Sequence, residues 1–344
     1  MPVKWTSSEE SILREYYGRI PVRLIQSQHL PHRTLKSVLI KASNMGLESP
    51  LRGSSPRSPN KMNPTYLPQT DNLRDLWSAV TDLQQASLRL ETSVANPSLT
   101  IKASSPIIVG FLADAHIGAM NCKYSELEER FSLMSNNPHF YLFSVGDSID
   151  NYLPQPHGSG MFDQLIPPAL QKQLVEDLYM RMKGRWLGVV EGCHDNWSYT
   201  AGQFDWNKYL SSKLQCPNLG FGATVNLTVG SVPYRIMLKH KYRFNSSINL
   251  THTVKRMREM QGDFDIGCVA HHHQAAIEQA IMGDGVDRIF IRPGSFKGSD
   301  RFSSQLGFTD SGAFIPSVVL DDKSRKMTAF LHLEQAVSYM ESLQ

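Results

Sequence analysis

Five apolar runs, each delivering an acidic or imidazole-bearing fragment at its carboxyl end, constrain this 344-residue chain more than any other feature. Residues 107–112 lead into Asp114-Ala-His116, residues 140–145 into Gly146-Asp147-Ser-Ile-Asp150, and residues 186–190 into Gly192-Cys193-His194-Asp195. Residues 234–238 precede an isolated His240, and residues 266–270 precede His271-His272-His273. Short uninterrupted apolar runs read as strands buried on both faces. In an open α/β sheet, whatever follows the carboxyl ends of such strands collects along one edge, where these folds place their sites. The chain therefore gathers hard oxygen donors, imidazoles and one thiol, which is the donor chemistry of a divalent-metal centre.

In this order the fragments resemble the calcineurin-like metallophosphoesterase superfamily, whose pattern runs D-x-H, G-D-x-x-D, G-N-H-D/E, H, G-H-x-H. The resemblance covers roughly residues 100–335 and implies an α/β catalytic domain over 97–338. The expected fold is a metallophosphoesterase β-sandwich, a pair of mixed sheets flanked by helices, with the site on loops at one edge. Two divalent metal ions are implied as cofactors, manganese or zinc foremost, with iron or magnesium as alternatives. Such a pair holds a shared hydroxide as nucleophile and neutralises the phosphoryl oxygens, so no covalent enzyme intermediate is expected. Carried over by motif, Asp114, His116 and His273 hold the first metal and Asp147 bridges. Cys193, His240 and His271 surround the second. His194 serves as general acid toward the leaving oxygen, Asp195 orients His194, and Asp150 steadies the turn that carries Asp147. His272 is expected to point away from its neighbours by strand alternation. Cys193 is the main departure, because the family has Asn there. A thiolate would favour zinc or iron over manganese or magnesium, whereas a protonated thiol would leave the second metal weakly held.

The surrounding residues narrow the branch. Asn151 stands where the serine/threonine protein phosphatases carry Arg, and Asp150 where the purple acid phosphatases need a Tyr ligand. Asp114-Ala-His116-Ile117-Gly118 is similar to the opening of the DNA-repair exonucleases of the superfamily. The expected activity is a nuclease or DNA end-processing phosphodiesterase. The alternatives are a phosphatase or phosphodiesterase of small molecules or nucleotides, and a non-catalytic DNA-binding regulator. Arg292, Lys297 and Arg301 lie on a Gly/Ser-rich segment past the last ligand. They read either as a basic loop gripping a phosphate backbone or as ordinary surface charges. The stretch 151–185 is the longest insertion near the site and a candidate lid.

The front of the chain is different in kind. Residues 1–62 carry ten Lys/Arg against four Glu, so with a net charge of +3 overall the remainder is slightly acidic. Thr6 and Glu9 have the spacing of a capping box, which predicts a helix to about Tyr17; helices over 22–29 and from Arg33 to Ala42 follow, the last with Thr34 as its cap. Three short helices with a basic third resemble a Myb-like or homeodomain-like helix-turn-helix over 1–46, with Arg33, Lys36, Ser37 and Lys41 toward DNA. A three-helix protein-binding module is the alternative. Residues 47–70, rich in Pro, Ser and Gly, read as a flexible linker. Within 71–95, apolar residues from Leu73 to Val94 recur at three- and four-residue steps. This predicts a connecting helix packed on the catalytic domain, or alternatively a parallel coiled coil forming a homodimer through residues 73–94. No run is long and apolar enough for a membrane span, and the N-terminus lacks a signal-peptide core. Four dispersed cysteines without a CxxC pair suit a reducing compartment. The expected location is the cytoplasm of a bacterial cell or a phage-infected host, and the expected partner is DNA, not a membrane.

Overall fold

The structure is a computed structural model and describes residues 4–47, 73–154, 158–299 and 312–343, with the side chains of 90–95 and 159 excepted. The linker expected over 47–70 and the candidate phosphate contact Arg301 lie, apart from Leu47, outside the described residues. The chain divides into two compact units, residues 1–82 and 83–344.

In the first unit, α1 (Ser7–Tyr16) opens on the expected capping box: the Thr6 hydroxyl accepts from the Glu9 N–H, and the Glu9 carboxylate accepts from the Thr6 N–H at 2.7 Å. The second segment is a regular helix only over α2 (Val22–Leu24); residues Ile25–His29 widen into a π turn. α3 (Leu35–Asn44) is capped by Thr34, whose hydroxyl accepts from the Ser37 N–H, and Gly46 beyond its end takes the left-handed φ of 65° that a side chain resists. Leu13, Ile25, Leu30 and Val38 form the small core that holds the three together, with Trp5 and Tyr16 packed against it.

Two of the four residues assigned to DNA are committed inside this unit. Arg33 donates to both carboxylate oxygens of Glu9 at 2.8 and 2.9 Å and to the Lys4 carbonyl, with its guanidinium 4.5 Å above the Trp5 ring. With side chains only 9% exposed on both sides, this ion pair is a structural clasp rather than a phosphate reader. Lys41 pairs with Glu10 at 2.6 Å. The Ser37 hydroxyl donates to the Thr34 carbonyl, while Lys36 stays exposed.

The predicted connecting helix forms as α4 (Leu73–Ala95). Along it Leu73, Leu76, Val80 and Leu83 are 75, 50, 53 and 69% exposed. A heptad pattern specifies a seam but not what lies against it.

The second unit is built on two sheets. One has five strands in the order β11 (Met327–Phe330), β10 (Ser317–Leu320), β2 (Ile107–Leu112), β3 (Phe140–Ser144), β4 (Trp186–Val189). The other has six, in the order β1 (Ser98–Ile101), β5 (Gly222–Val229), β6 (Val232–Lys239), β7 (Ile266–Val269), β9 (Asp287–Arg292), β8 (Ala276–Ile281). β2, β3 and β4 run parallel, as do β6, β7 and β9, so each sheet presents a row of carboxyl ends. The facing sides of the sheets share one core that includes Val109, Phe111, Phe143, Val225, Ile236, Ile266 and Ile289. Outside the five-stranded sheet, α5 (Tyr124–Asn136), α6 (Pro168–Met180), α8 (Trp206–Leu214) and the C-terminal helix Leu333–Ser342 bury Phe131, Val175, Leu210 and Ala336. α9 (His252–Gln261) covers the six-stranded sheet through Val254 and Met257. This is the expected α/β architecture, a two-sheet sandwich flanked by helices.

Candidate metal centre

All five sequence fragments meet where the two rows of carboxyl ends face each other. The loops after β2 and β3 zip together: the Asp114 N–H donates to the Gly146 carbonyl and the His116 N–H to the Asp147 carbonyl, both at 3.0 Å. Asp147 lies between that ladder and α7 (Cys193–Gly202), where its Oδ1 accepts from the His194 N–H at 2.8 Å. A carboxylate there also benefits from the positive end of the helix. The approach is so close that a side chain at Gly192 would sit 2.0 Å from the Asp147 nitrogen, and one at Gly146 2.5 Å from His240 Nδ1. Both glycines are therefore required by contact.

Backbone strain concentrates here. Nine non-glycine residues among those described have positive φ, and five of them are Asp114, His116, Asp147, His271 and His273. Such conformations cost on the order of 1–3 kcal/mol each and persist where the surroundings over-determine them. Their clustering on donor residues marks the place that the fold spends stability to build.

The side chains form four overlapping triads whose donor atoms lie within 4.8 Å of one another: Asp114, His116 and His273; Cys193, His240 and His271; Asp114, Asp147 and His240; and His116, Asp147 and His194. The first two coincide with the ligand sets assigned from sequence, and Asp147 falls in the other two, with Asp114 and His240 in one and with His116 and His194 in the other.

The donor set tests positively for cations. His240 Nδ1 donates to the Val145 carbonyl at 2.9 Å, so Nε2 meets Asp147 Oδ2 at 3.1 Å as one lone pair facing another unless a proton or cation intervenes. His116 Nδ1 lies 3.2 Å from Asp150 Oδ1, and its Nε2 faces His273 Nε2 at 3.2 Å. Asp114 Oδ1 and His240 Nε2 are buried without a hydrogen-bond partner. Orphaned acceptors in a buried cluster are costly on their own, and a bound cation would satisfy them. The electrostatics agree. Burial alone would raise Asp147, but the imidazoles of His240 and His194 hold it well below the usual carboxylate range. Against the opposing effect of burial, Asp147 lifts His240 well above the usual imidazole value. Burial likewise opposes ionisation of Cys193, yet hydrogen bonds with His240 and His271 bring its thiol down to about 7. The His271 main-chain N–H donates to Asp114 Oδ2, leaving its ring to approach Cys193 Sγ at 3.8 Å.

Two supporting roles differ from expectation. Asp195 does not orient His194. As the third residue of α7 it turns back to its own helix start, accepting from the Gly192 N–H and from the Ser148 N–H and hydroxyl. Burial and the nearby Asp147 charge raise it to about 6. The His194 ring is held instead by the Asp150 main-chain carbonyl, 2.5 Å from Nδ1. Asp150 does more than steady a turn: its carboxylate accepts from His116 Nδ1 and from Lys297 Nζ at 3.0 Å, a carboxylate–histidine pairing that aims Nε2 at the centre. Burial and the neighbouring imidazole push His194 down to about 4.

Lys297 and Arg292 are not a surface grip. Lys297 is buried against Asp150, and Arg292, 1% exposed, donates to Asn245 Oδ1 and the Leu250 carbonyl. Charge count alone could not distinguish these from solvated side chains. His272 belongs to none of the four triads, as alternation predicts. The candidate lid is tied down in part, with the Asn151 N–H donating to Gln171 Oε1 and the Tyr152 N–H to Gln164 Oε1. Asn151, used above only to narrow the branch, and Trp197, not singled out in the sequence, also gather here. Asn151 Nδ2 donates to the His194 carbonyl at 2.6 Å, and Trp197 lies with its ring centroid 3.9 Å from that of His194. The signal for Trp197 was its spacing, four residues after Cys193 and so on the same face of a helix.

No protein-family model and no curated protein matches the sequence. Among solved structures the chain is similar to a conserved uncharacterized protein of Streptococcus pneumoniae described as a predicted phosphoesterase, at 16% identity and a TM-score of 0.33 over 67% of this chain and 91% of that one. It is similar at 13% identity and a TM-score of 0.33 to Vps29 of Entamoeba histolytica, in complex with zinc, over 65% of this chain and 98% of that one. It is similar at 14% identity and a TM-score of 0.31 to the nuclease MPE of Pseudomonas putida, over 64% of this chain and 87% of that one.

Proposed function

We propose that the chain is a metal-dependent phosphodiesterase that acts on DNA, as a nuclease or end-processing enzyme. The observation that carries the phosphoesterase part is the pair of donor triads Asp114/His116/His273 and Cys193/His240/His271, with Asp147 clustered with Asp114 and His240 between them and with Asp114 Oδ1 and His240 Nε2 buried without a hydrogen-bond partner. Asp114, His116 and His273 would hold one divalent cation, and Cys193, His240 and His271 the other, with Asp147 common to both. Two such cations supply Lewis acidity toward phosphoryl oxygens and an acidified water. The chain's own part is placement. Asp150 and the Val145 carbonyl fix which nitrogen His116 and His240 present. His194 spends its Nδ1 proton on the Asp150 carbonyl, leaving Nε2 to exchange a proton with the leaving oxygen. Its lowered basicity favours the neutral ring at rest. The negative charge of an arriving phosphoester favours the imidazolium that can protonate an alkoxide.

DNA as substrate rests on the basic excess of residues 1–62 and on the three-helix form of the first unit. With Arg33 and Lys41 paired internally, the phosphate contacts pass to exposed Lys36, Arg14, Arg19 and Arg23. The exposed heptad stripe of α4, with Val80 and Leu83 in successive core positions, supports a parallel homodimer.

The test is a panel of duplex DNA, single-stranded DNA, RNA and small phosphodiesters, each with manganese or zinc. Turnover of DNA that disappears in Asp147→Ala while DNA affinity persists is the expected result. Turnover confined to small esters, or cleavage that survives Asp147→Ala, would overturn the assignment. Deleting residues 1–62 should weaken DNA affinity and its salt dependence rather than the chemical step.

A further inference from the structure

A cavity of about 400 Å³ opens directly off the second donor triad. Cys193 and His240 form its inner end, and Asn196, Trp197, Thr200, Phe221 and Lys241 line the rest, with Glu191. Its shape follows from local structure. Asn196, Trp197 and Thr200 stand three, four and seven residues beyond Cys193, so one face of α7 makes a continuous wall leading away from the metal ligands. The opposite wall is the turn before β5, where Phe221 sits between Gly220 at φ 53° and Gly222 at φ 143°. The Glu191 N–H donates to the Gly220 carbonyl at 2.7 Å, joining the two walls at the end of β4.

Two features of this cavity are unexplained by folding. Phe221 is 63% exposed, which a core role does not require. Asn196 and Lys241 have no side-chain hydrogen bond or ion pair among the described residues. Trp197, by contrast, is braced by His194 at 3.9 Å and Tyr152 at 5.2 Å between ring centroids. A rigid indole, an exposed phenyl, an amide and an ammonium around a cavity of this size make a ligand site with apolar walls and a few polar groups. Aromatic faces bind bases of any sequence by stacking, an amide can read a base edge, and an ammonium suits an adjoining phosphate.

We propose that this cavity receives the nucleobase adjoining the scissile phosphate, so that the substrate is a single strand or a frayed end. The inference rests on the phosphodiesterase reading and deepens it. A base seated beside Trp197 and Phe221 cannot remain stacked and paired in a duplex, and extruding a paired base costs energy that a single strand does not. The cavity therefore selects the strand, and the metal ligands at its inner end define which ester is presented.

The experiment compares two esters with the same leaving group, thymidine 5′-(p-nitrophenyl phosphate) and methyl p-nitrophenyl phosphate, in wild type and in Phe221→Ala. Loss of one stacked base is worth about tenfold or more. The nucleoside ester should exceed the methyl ester in kcat/KM by at least that factor, and the ratio should collapse toward unity in Phe221→Ala. A second readout needs no turnover: thymidine should quench tryptophan fluorescence saturably in wild type and much more weakly in the variant. Equal kcat/KM for the two esters in wild type, with turnover intact, overturns the base site and leaves the phosphodiesterase reading standing. If neither ester is hydrolysed with manganese or zinc, that reading fails instead, and thymidine quenching alone decides the cavity: Phe221-dependent quenching upholds it, and its absence overturns it.

Discussion

Replacing Cys193 by Ala should remove most of the stabilisation that zinc confers through the Cys193/His240/His271 site. Cys193 is the one thiol of the four placed to ligate. Burial pushes Cys122 and Cys216 up to about 12 and Cys268 well above the usual thiol value, whereas Cys193 lies near 7 beside His240 and His271. A ligand at a hundredfold excess over its Kd stabilises the native state by about 2.7 kcal/mol. For a domain of this size that corresponds to a rise in Tm of roughly 5–10 °C. If losing the thiolate weakens this site a hundredfold, the contribution falls to about 0.4 kcal/mol, and most of that rise disappears. The triad of Asp114, His116 and His273 is untouched by the substitution, so the quantity to compare is the difference between the two zinc-induced shifts, read by scanning calorimetry.

Protons supply an independent check. Metal takes the deprotonated thiol and the neutral imidazole. With Cys193 near 7, zinc binding at pH 7 should release about half a proton from the thiol, nearly a whole one at pH 5.5 and almost none at pH 8.5. His240, raised well above the usual imidazole value, adds its own release at neutral pH. Affinity therefore rises with pH through 7 in the wild type, and less steeply in Cys193→Ala. Calorimetric titrations in buffers of different ionisation enthalpy measure the difference. Equal zinc-induced Tm shifts in the two proteins, with identical proton release, would refute Cys193 as a ligand.

Three further outcomes follow from buried or exposed groups. Asp150→Ala leaves Lys297, whose side chain is 7% exposed, without its carboxylate and unhooks His116, so unfolding by denaturant should cost about 3–5 kcal/mol less; an unchanged midpoint would contradict the pairing. Arg33 and the Thr6 N–H hold Glu9 well below the usual carboxylate range, so its contribution is present above the unfolded value near 4.5 and declines as pH falls below it. The hydrogen-exchange protection factors of α1 and α3, taken relative to the intrinsic exchange rate at each pH, should therefore fall on acidification in wild type but change little with pH in Glu9→Gln. Leu83→Asp, on the exposed α4 seam, should convert a dimer to monomers in sedimentation velocity, and a monomeric wild type would dispose of the homodimer.

How far the sequence could be read depended on where each signal was written. Strands β2, β3, β4 and β7 were legible because both of their faces are buried, so nearly every residue is apolar. β8, with partly exposed residues throughout, and the four-residue edge strand β1 carry no such run and passed unseen. Helix starts were legible where the cap is local, as at Thr6 and Thr34. Charge was the weakest guide. Arg33 looked like a reader of phosphate because its partner Glu9 lies 24 residues earlier, and composition cannot show that two charges meet. The same limit hid the anchoring of Lys297 by Asp150 across 147 residues.

The Gly192-Cys193-His194-Asp195 fragment shows why the gathering of donor residues was easier to read than their supporting contacts. Where a donor lies is set by which strand end carries it, and strand ends were visible. An orienting contact depends on where a helix begins. Because α7 starts at Cys193, Asp195 falls three residues past the Gly192 cap, where a carboxylate folds back on its own helix start. His194, one residue earlier, projects across to the loop after β3, where the nearest acceptor is a main-chain carbonyl of Asp150. Moving the helix start by one residue would exchange these environments without altering any letter of the motif. A carbonyl, unlike a carboxylate, cannot share a proton with the imidazole, so it fixes the tautomer of His194 while adding little to its basicity. Under the proposed general-acid role, that arrangement would leave Nε2 to give its proton away once a phosphoester has supplied the charge to put it there.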